Sequence, residues 1–353
     1  MILNPFFIFF FIWLFVLFLY SLGLSQVLTP LYQITVLLVI GSVFAFFLGW
    51  FFVCALYGKI YLHPEIDRNF YHYFFTSKKI VRRVVFIGYL WGFGTLFEVF
   101  FFKGVPLLSL FGMGSELSYV DFGISGLHGA LNSLYLVLVT FAFVRQLLVR
   151  SKLGMIILIF LLLWPILLMT RQLMFSVIVQ IVFLYVFFKP LRFISYLWLF
   201  LVSLIAVVLF GYIGDIRSGR DAFLALASPS FEYPDSFPSG FMWVYIYLVS
   251  PLNNINFNIL NIEPYYFPVN ITLGIFPSLV RDHIASSFGV VDQIELVNSN
   301  LNVNSLFSKL LQDFGVFFTP FLIFIISVFS FYLMVNCRKR PSYFFALVIV
   351  LHG

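Results

Sequence analysis

Charge is what this chain has least of. Only 10% of its 353 residues are Asp, Glu, Lys or Arg, against roughly a quarter in a soluble domain. With 62% hydrophobic residues and a mean hydropathy of +1.07, that scarcity excludes a soluble globular fold and leaves an all-α polytopic integral membrane protein. Cysteine is nearly absent as well. Cys54 and Cys337 lie far apart, in or at the ends of apolar runs, so neither a disulfide framework nor a metal-ligand spacing is on offer. There is no GxSxG, no HExxH, no P-loop and no histidine pair at metal spacing. Neither a metal nor a cofactor is expected. Two DFG triplets, Asp121-Phe122-Gly123 and Asp313-Phe314-Gly315, lack the glycine-rich loop and HRD of a kinase. The opening NPFFIFFFIWLFVLFLY has no basic n-region and no small-residue cleavage site, so it reads as a retained first span.

Apolar runs predict eight clear spans near 5–22, 31–57, 84–102, 127–149, 153–169, 173–188, 193–213 and 315–337. A shorter ninth segment runs from about 341 to the end, too short for the ~20 residues a span requires; it is expected to be half-inserted, or the architecture to be truncated. If the spans alternate, one face collects fourteen of the twenty basic residues, on connectors around Lys59–Arg83, Arg145–Lys152, Lys189–Arg192 and Arg338–Arg340. That face is the cytoplasm by the positive-inside rule, and these short connectors form no groove for nucleic acid. The other face receives most of the acids and six cations: Lys103, Arg171, Arg217, Arg220, Arg281 and Lys309.

The chain is read as one membrane domain, 1–353, with a large outward loop at 214–313 between spans seven and eight. Within the loop, Phe241–Leu252 and Tyr265–Phe276 are apolar but too short to span, and are expected in the interface or dipping into the bundle. Arg171 falls in the tight turn between spans five and six, where an arginine is costly unless it pairs or binds something. Two readings stay open: it snorkels or pairs with Glu98, or its guanidinium clamps a phosphate. Arg217 and Arg220, three apart, either neutralise Asp215 and Asp221 or share a face toward the headgroups. His283, beside Arg281 and Asp282, and His128, at the outer start of span four, are surface histidines or bases. Asp121 and Asp313 stand just before spans, where each complements a helix N-terminus or orients an acceptor hydroxyl. Gly88 and Gly92 form a GxxxG expected to mark close helix packing.

Four stretches, Thr170–Phe175 (TRQLMF), Gly214–Arg220 (GDIRSGR), Tyr245–Asn256 (YIYLVSPLNNIN) and Asn304–Phe317 (NSLFSKLLQDFGVF), carry a resemblance by their order and spacing. The chain resembles the Wzy-type oligosaccharide repeat-unit polymerases, the O-antigen polymerase class. The resemblance implies a GT-C-like glycosyltransferase in the bacterial inner membrane. It would join a growing glycan, carried on undecaprenyl diphosphate, to a newly flipped lipid-linked repeat on the periplasmic face. Arg171, Arg217, Arg220 and Arg281 would stabilise the leaving diphosphate; Asp121, Asp313 and His283 would orient or deprotonate the acceptor. Trp243, Tyr245 and Tyr247 would stack on its sugars or anchor at the interface, with the anchor favoured. The bilayer, the lipid-linked oligosaccharides and a chain-length regulator are the partners implied. The nearest rival is the O-antigen ligase; a flippase and a membrane scaffold are rivals of other classes.

Overall fold

The computed structural model describes residues 4–62, 64–109, 112, 121–189, 197–198, 200–201, 203–205, 207–208, 211–212, 215, 219–274, 276, 278–290, 292–298 and 305–352. The helices are α1 (Pro5–Ser21), α2 (Gln33–Tyr57), α3 (Arg68–Thr76), α4 (Lys78–Phe102), α5 (Pro106–Ser109), α6 (Leu127–Val149), α7 (Lys152–Leu167) and α8 (Arg171–Phe188). They continue as α9 (Arg220–Ala227), α10 (Gly240–Asn258), α11 (Val269–Leu273), α12 (Ser278–Ser287), α13 (Leu306–Asn336) and α14 (Pro341–His352). Among the described residues, four stretches are long and apolar enough to cross a bilayer: Gln33–Tyr57, Lys78–Ser109, Leu127–Val149 and Leu306–Asn336. The chain is an α-helical membrane protein. About half of the run expected at 193–213 lies outside the described residues. Tyr89, Phe93, Phe97, Phe100 and Phe101 of α4 stand exposed, an apolar face that suits hydrocarbon and not water.

The chain divides into two compact units, where the sequence predicts one domain. The first comprises Met1–Ile60, Leu191–Ile275 and Ala285–Phe331; the second comprises Tyr61–Pro190, Phe276–Ile284 and Tyr332–Gly353.

In the first unit, Phe9 stacks on Phe46 at 4.6 Å and Trp13 meets Phe307 edge-on at 4.6 Å, tying α1 to α2 and α13. A Cβ on Gly49 would lie 2.5 Å from Ser327 Oγ, and that hydroxyl donates to Phe46 O at 2.6 Å. Small residues thus let α2 and α13 approach closely. Of the two places expected for 241–252, helix α10 fits the one among the other helices. Nineteen residues long, it buries Ile246, Val249 and Leu252 completely and forms the centre of the unit.

Helix α13 is broken at Gly315, whose φ of 73° and ψ of 178° are open essentially to glycine alone. Space there is also short, since a Cβ would stand 2.9 Å from Pro264 Cγ. Gly315→Ala is therefore expected to destabilise the protein by about 2–3 kcal/mol. Thermal unfolding in lipid nanodiscs checks this; an unchanged midpoint would contradict it.

In the second unit, Tyr135 of α6 donates to Leu161 O at 2.9 Å, and Gln180 of α8 reaches Thr140 of α6. One end of the unit gathers segments expected on the cytoplasmic face. There Tyr71 donates to Cys337 O at 2.5 Å, Arg68 donates to Phe188 O, and Arg338 lies 3.6 Å from Glu65. Helix α14, the expected ninth segment, has twelve residues and buries Phe344 edge-on against Tyr71. Of the pair expected to mark close packing, Gly88 faces Leu138 Cδ2, 3.8 Å from where its Cβ would be, and the tightest approach falls at Gly94. A Cβ there would lie 2.5 Å from Leu131 Cδ2, whereas Gly92 has nothing within 4 Å among the described residues.

Candidate active site

The most chemically organised cluster in the second unit lies where α4 ends and α6 begins. Glu98, near the end of α4, is buried to 1% exposure. A carboxylate so placed is tolerated only if its oxygens are satisfied, and both are. Oε1 accepts the Ile124 N–H at 3.0 Å, and Oε2 stands 2.9 Å from His128 Nδ1. His128 is the second residue of α6 and its side chain is 21% exposed. The connector closes over the ring at Gly123, where φ is +111° and a Cβ would fall 2.5 Å from His128 Cγ. Phe122 meets the imidazole edge-on at 5.7 Å.

Each of these contacts fixes the ring in one orientation. An ionised Glu98 takes the proton-bearing Nδ1–H, which leaves the lone pair on Nε2. That is how a carboxylate orients a histidine to act as a base. The partner discussed for Glu98 in the sequence was Arg171; among the described residues its partners are His128 and Ile124.

The other expected residues fall as follows. Asp121 is exposed on the connector that leads to His128. Arg171 opens α8 in the same unit, but its side chain lies outside the described residues, as does the whole of Arg217. Arg281 and His283 stand two apart on α12, with Arg281 Nε 3.0 Å from its neighbour Asp282 in an exposed pair.

Arg220, Asp313, Trp243, Tyr245 and Tyr247 belong to the first unit. Arg220 does not pair with Asp215 or Asp221 among the described residues. Its Nη2 donates to Pro234 O at 2.8 Å and Phe237 O at 3.0 Å, and Asp215 instead accepts from Ser239 Oγ at 2.7 Å. Both hydrogens on Nη2 are spent on the backbone, so Arg220 braces a loop. Asp313 is fully buried and complements a helix N-terminus, though not its own. Its oxygens accept Asn270 N at 2.8 Å, Asn270 Nδ2 at 2.9 Å and Ile271 N at 2.9 Å, capping α11 where Pro268 has no capping side chain. Trp243 and Tyr245 are each 6% exposed. Trp243 stacks on Phe223 at 3.5 Å, and Tyr245 Oη accepts the Leu24 N–H at 3.0 Å. Both sit in the core, so neither offers a free face for stacking on a sugar; Tyr247 packs half-buried on Trp243.

The residues that sequence reasoning missed are the asparagines of α10. Asn253 Oδ1 accepts from Tyr20 Oη at 2.7 Å and Thr29 N at 2.9 Å, while its Nδ2 donates to Val27 O at 3.1 Å. Asn256 Oδ1 accepts from Tyr32 N and Thr35 Oγ1, and its Nδ2 donates to Thr29 Oγ1 and Pro30 O, all at 2.8 Å. Three apart, these two share a helix face and clamp the connector between α1 and α2. Asn254 and Asn258, four apart, do the same for the segment 292–297, through Val297 N at 3.2 Å, Glu295 N at 3.0 Å and Glu295 O at 2.7 Å. The signal was visible as four amides in an apolar run.

The segment 292–297 is also held by Asp292. Its Oδ2 lies 2.9 Å from Lys309 Nζ, and Oδ1 accepts Gln312 Nε2 at 2.9 Å and Ile294 N at 3.2 Å. Burial pushes this carboxyl upward, but the bond and charge of Lys309, with the other two donors, outweigh it and hold the group below its usual range. The stabilisation is therefore complete above the ordinary carboxylate value of about 3.9 and is lost as pH falls through the lower folded value. Amide exchange across 292–297, corrected for intrinsic rates, is expected to be flat from about pH 5 to 8 and to rise below about pH 4. Asp292→Asn is expected to loosen the segment above about pH 4 and to remove the acid response; an acid response unchanged in that variant would contradict the assignment.

No family model matches the chain, and neither does any curated protein or any solved structure.

Proposed function

We propose that this chain is an oligosaccharide repeat-unit polymerase of the bacterial inner membrane. The observation that carries the proposal is the Glu98–His128 pair, an oriented imidazole at the start of α6, the end that span alternation puts on the periplasmic side. His128 Nε2 takes the proton of an acceptor hydroxyl on a lipid-linked repeat. That oxygen attacks the anomeric carbon of the growing glycan, and the bond to undecaprenyl diphosphate breaks, the electron pair leaving with the diphosphate. Guanidinium groups on outward connectors, Arg171 first and Arg217 and Arg281 with it, stabilise the charge on the leaving group.

Nine spans and a periplasmic loop belong to this reading. Two observations support them. Segments 65–71, 188 and 337–338, all expected in the cytoplasm, meet one another. Segments 23–30 and 227–256, all expected outside, likewise meet through Ser25, Thr29 and the α10 asparagines.

Deleting the gene and profiling surface polysaccharide on a gel tests the proposal. The expected result is loss of the long ladder, with a single repeat still on the lipid core. Accumulation of long lipid-linked chains with none on the core would identify a ligase instead, and an unchanged profile would sink both.

A further inference from the structure

Between α9 and α10 of the first unit, residues 229–239 form an arch whose shape is set before any ligand arrives. Pro229, Pro234 and Pro238 restrict its backbone. Arg220 braces it from inside, through the two carbonyls at Pro234 and Phe237 and by lying 5.7 Å over the Tyr233 ring. Tyr233 Oη donates to Pro238 O at 2.7 Å, and Ser230 ties one foot to Gly23 O at 2.7 Å and Leu24 O at 3.0 Å. The rings run in series, with Phe231 to Tyr233 at 5.8 Å, Tyr233 to Phe237 at 5.8 Å and Phe237 to Phe241 at 4.9 Å. Phe231 and Phe237 are each 45% exposed. Glu232 and Asp235, set between them, are exposed, and neither has an ion-pair partner among the described residues.

We infer that this arch is a carbohydrate-binding platform for neutral or amino-sugar pyranosides. An aromatic face covers the C–H face of a pyranose, which is apolar, while carboxylates accept the hydroxyl and amino hydrogens at the ring's edge. Both chemistries are here, alternating along seven residues, on a scaffold that loses little freedom when it binds. A bilayer is the poorer fit. Interface anchors are Trp and Tyr with a polar tip, whereas the exposed rings are Phe, and two unpaired carboxylates would face anionic headgroups. The inference rests on the polymerase reading and adds where the first unit grips the glycan. It differs from the expected stacking on Trp243 and Tyr245, which are buried.

The test uses the full chain in nanodiscs. The probe is a set of oligosaccharides of one to three repeats, released by mild acid from the surface polysaccharide of cells that carry the gene. Saturation-transfer NMR is expected to show binding to wild type. Phe231→Ala with Phe237→Ala should weaken it at least about tenfold. Phe237→Tyr, which keeps the ring, should retain it, and this guards against a folding artefact. In cells the double alanine variant should shorten the ladder without removing it. No binding to wild type, or equal binding to the double variant, would overturn the platform. So would extra quenching of Phe237→Trp emission by brominated lipids relative to wild type, because the ring would then lie in the bilayer. A deletion that leaves the ladder unchanged would sink the polymerase reading alone, since oligosaccharide binding is read separately.

Discussion

Replacing His128 with alanine is expected to remove the long polysaccharide ladder while the protein still inserts in normal amount. Loss of a positioned base typically lowers a rate by about 10²–10⁴. At that deficit, single repeats reach the lipid core before a second can be added. Glu98 acts through His128, so its variant must separate positioning from folding. Glu98→Ala does not, because it would strand the buried Ile124 N–H and leave the imidazole without its carboxylate. Glu98→Gln keeps the volume and an oxygen for Ile124, but sets an amide N–H opposite Nδ1, which then accepts it and leaves the ring proton on Nε2. The expected outcome is a rate about tenfold to a hundredfold below wild type, since Nε2 no longer offers a lone pair. An unchanged rate in Glu98→Gln would show the pair to be structural.

The largest effect on stability is expected at Asn256. Its side chain makes four hydrogen bonds at 2.8 Å, to Tyr32 N, Thr35 Oγ1, Thr29 Oγ1 and Pro30 O, and is fully buried. Alanine would leave the Tyr32 N–H and the Thr35 hydroxyl without an acceptor, at a cost of about 1–3 kcal/mol for each orphaned group. Asn256→Ala should therefore destabilise by about 3 kcal/mol or more, read as a lowered unfolding midpoint in nanodiscs. Asn256→Asp keeps both acceptor bonds but turns an oxygen toward Pro30 O, and should fall between. Thr29→Val in the same background should be non-additive with Asn256→Ala, because the two residues share a bond. Additive losses would mean that the clamp is not a unit.

These two sites were legible to different degrees. The helices α1, α2 and α6 end within a few residues of the apolar runs that predict them, because the length of such a run is set by hydrocarbon thickness. What hydropathy cannot distinguish is a short apolar helix on a membrane from one inside a protein. Hence Trp243 and Tyr245 were placed at an interface, although α10 is a core helix whose Asn253 and Asn256 are satisfied by the α1–α2 connector, more than two hundred residues earlier in the chain. His128 was singled out from its position at a span start. Its carboxylate was not recognised as its partner, since thirty residues separate the two and only the packing of α4 on α6 brings them together. Asp313 was correctly suspected of serving a helix N-terminus, but the helix it caps is α11, which depends on the break at Gly315 and on Pro264 packing there. The outward arginines were chosen by charge and by their place or spacing at span ends. Where the side chain is described, as in Arg220, the guanidinium is engaged by carbonyls that no reading of charge would have found.

The most direct test of the account is to follow the purified full chain, in nanodiscs, with undecaprenyl-diphosphate-linked repeat units as its only substrate. The measurement is release of undecaprenyl diphosphate alongside growth of the glycan. The account predicts one lipid diphosphate released for each new glycosidic bond, with wild type building chains of several repeats and His128→Ala building almost none. Chain growth that is equal in His128→Ala, or no growth by wild type, would contradict it.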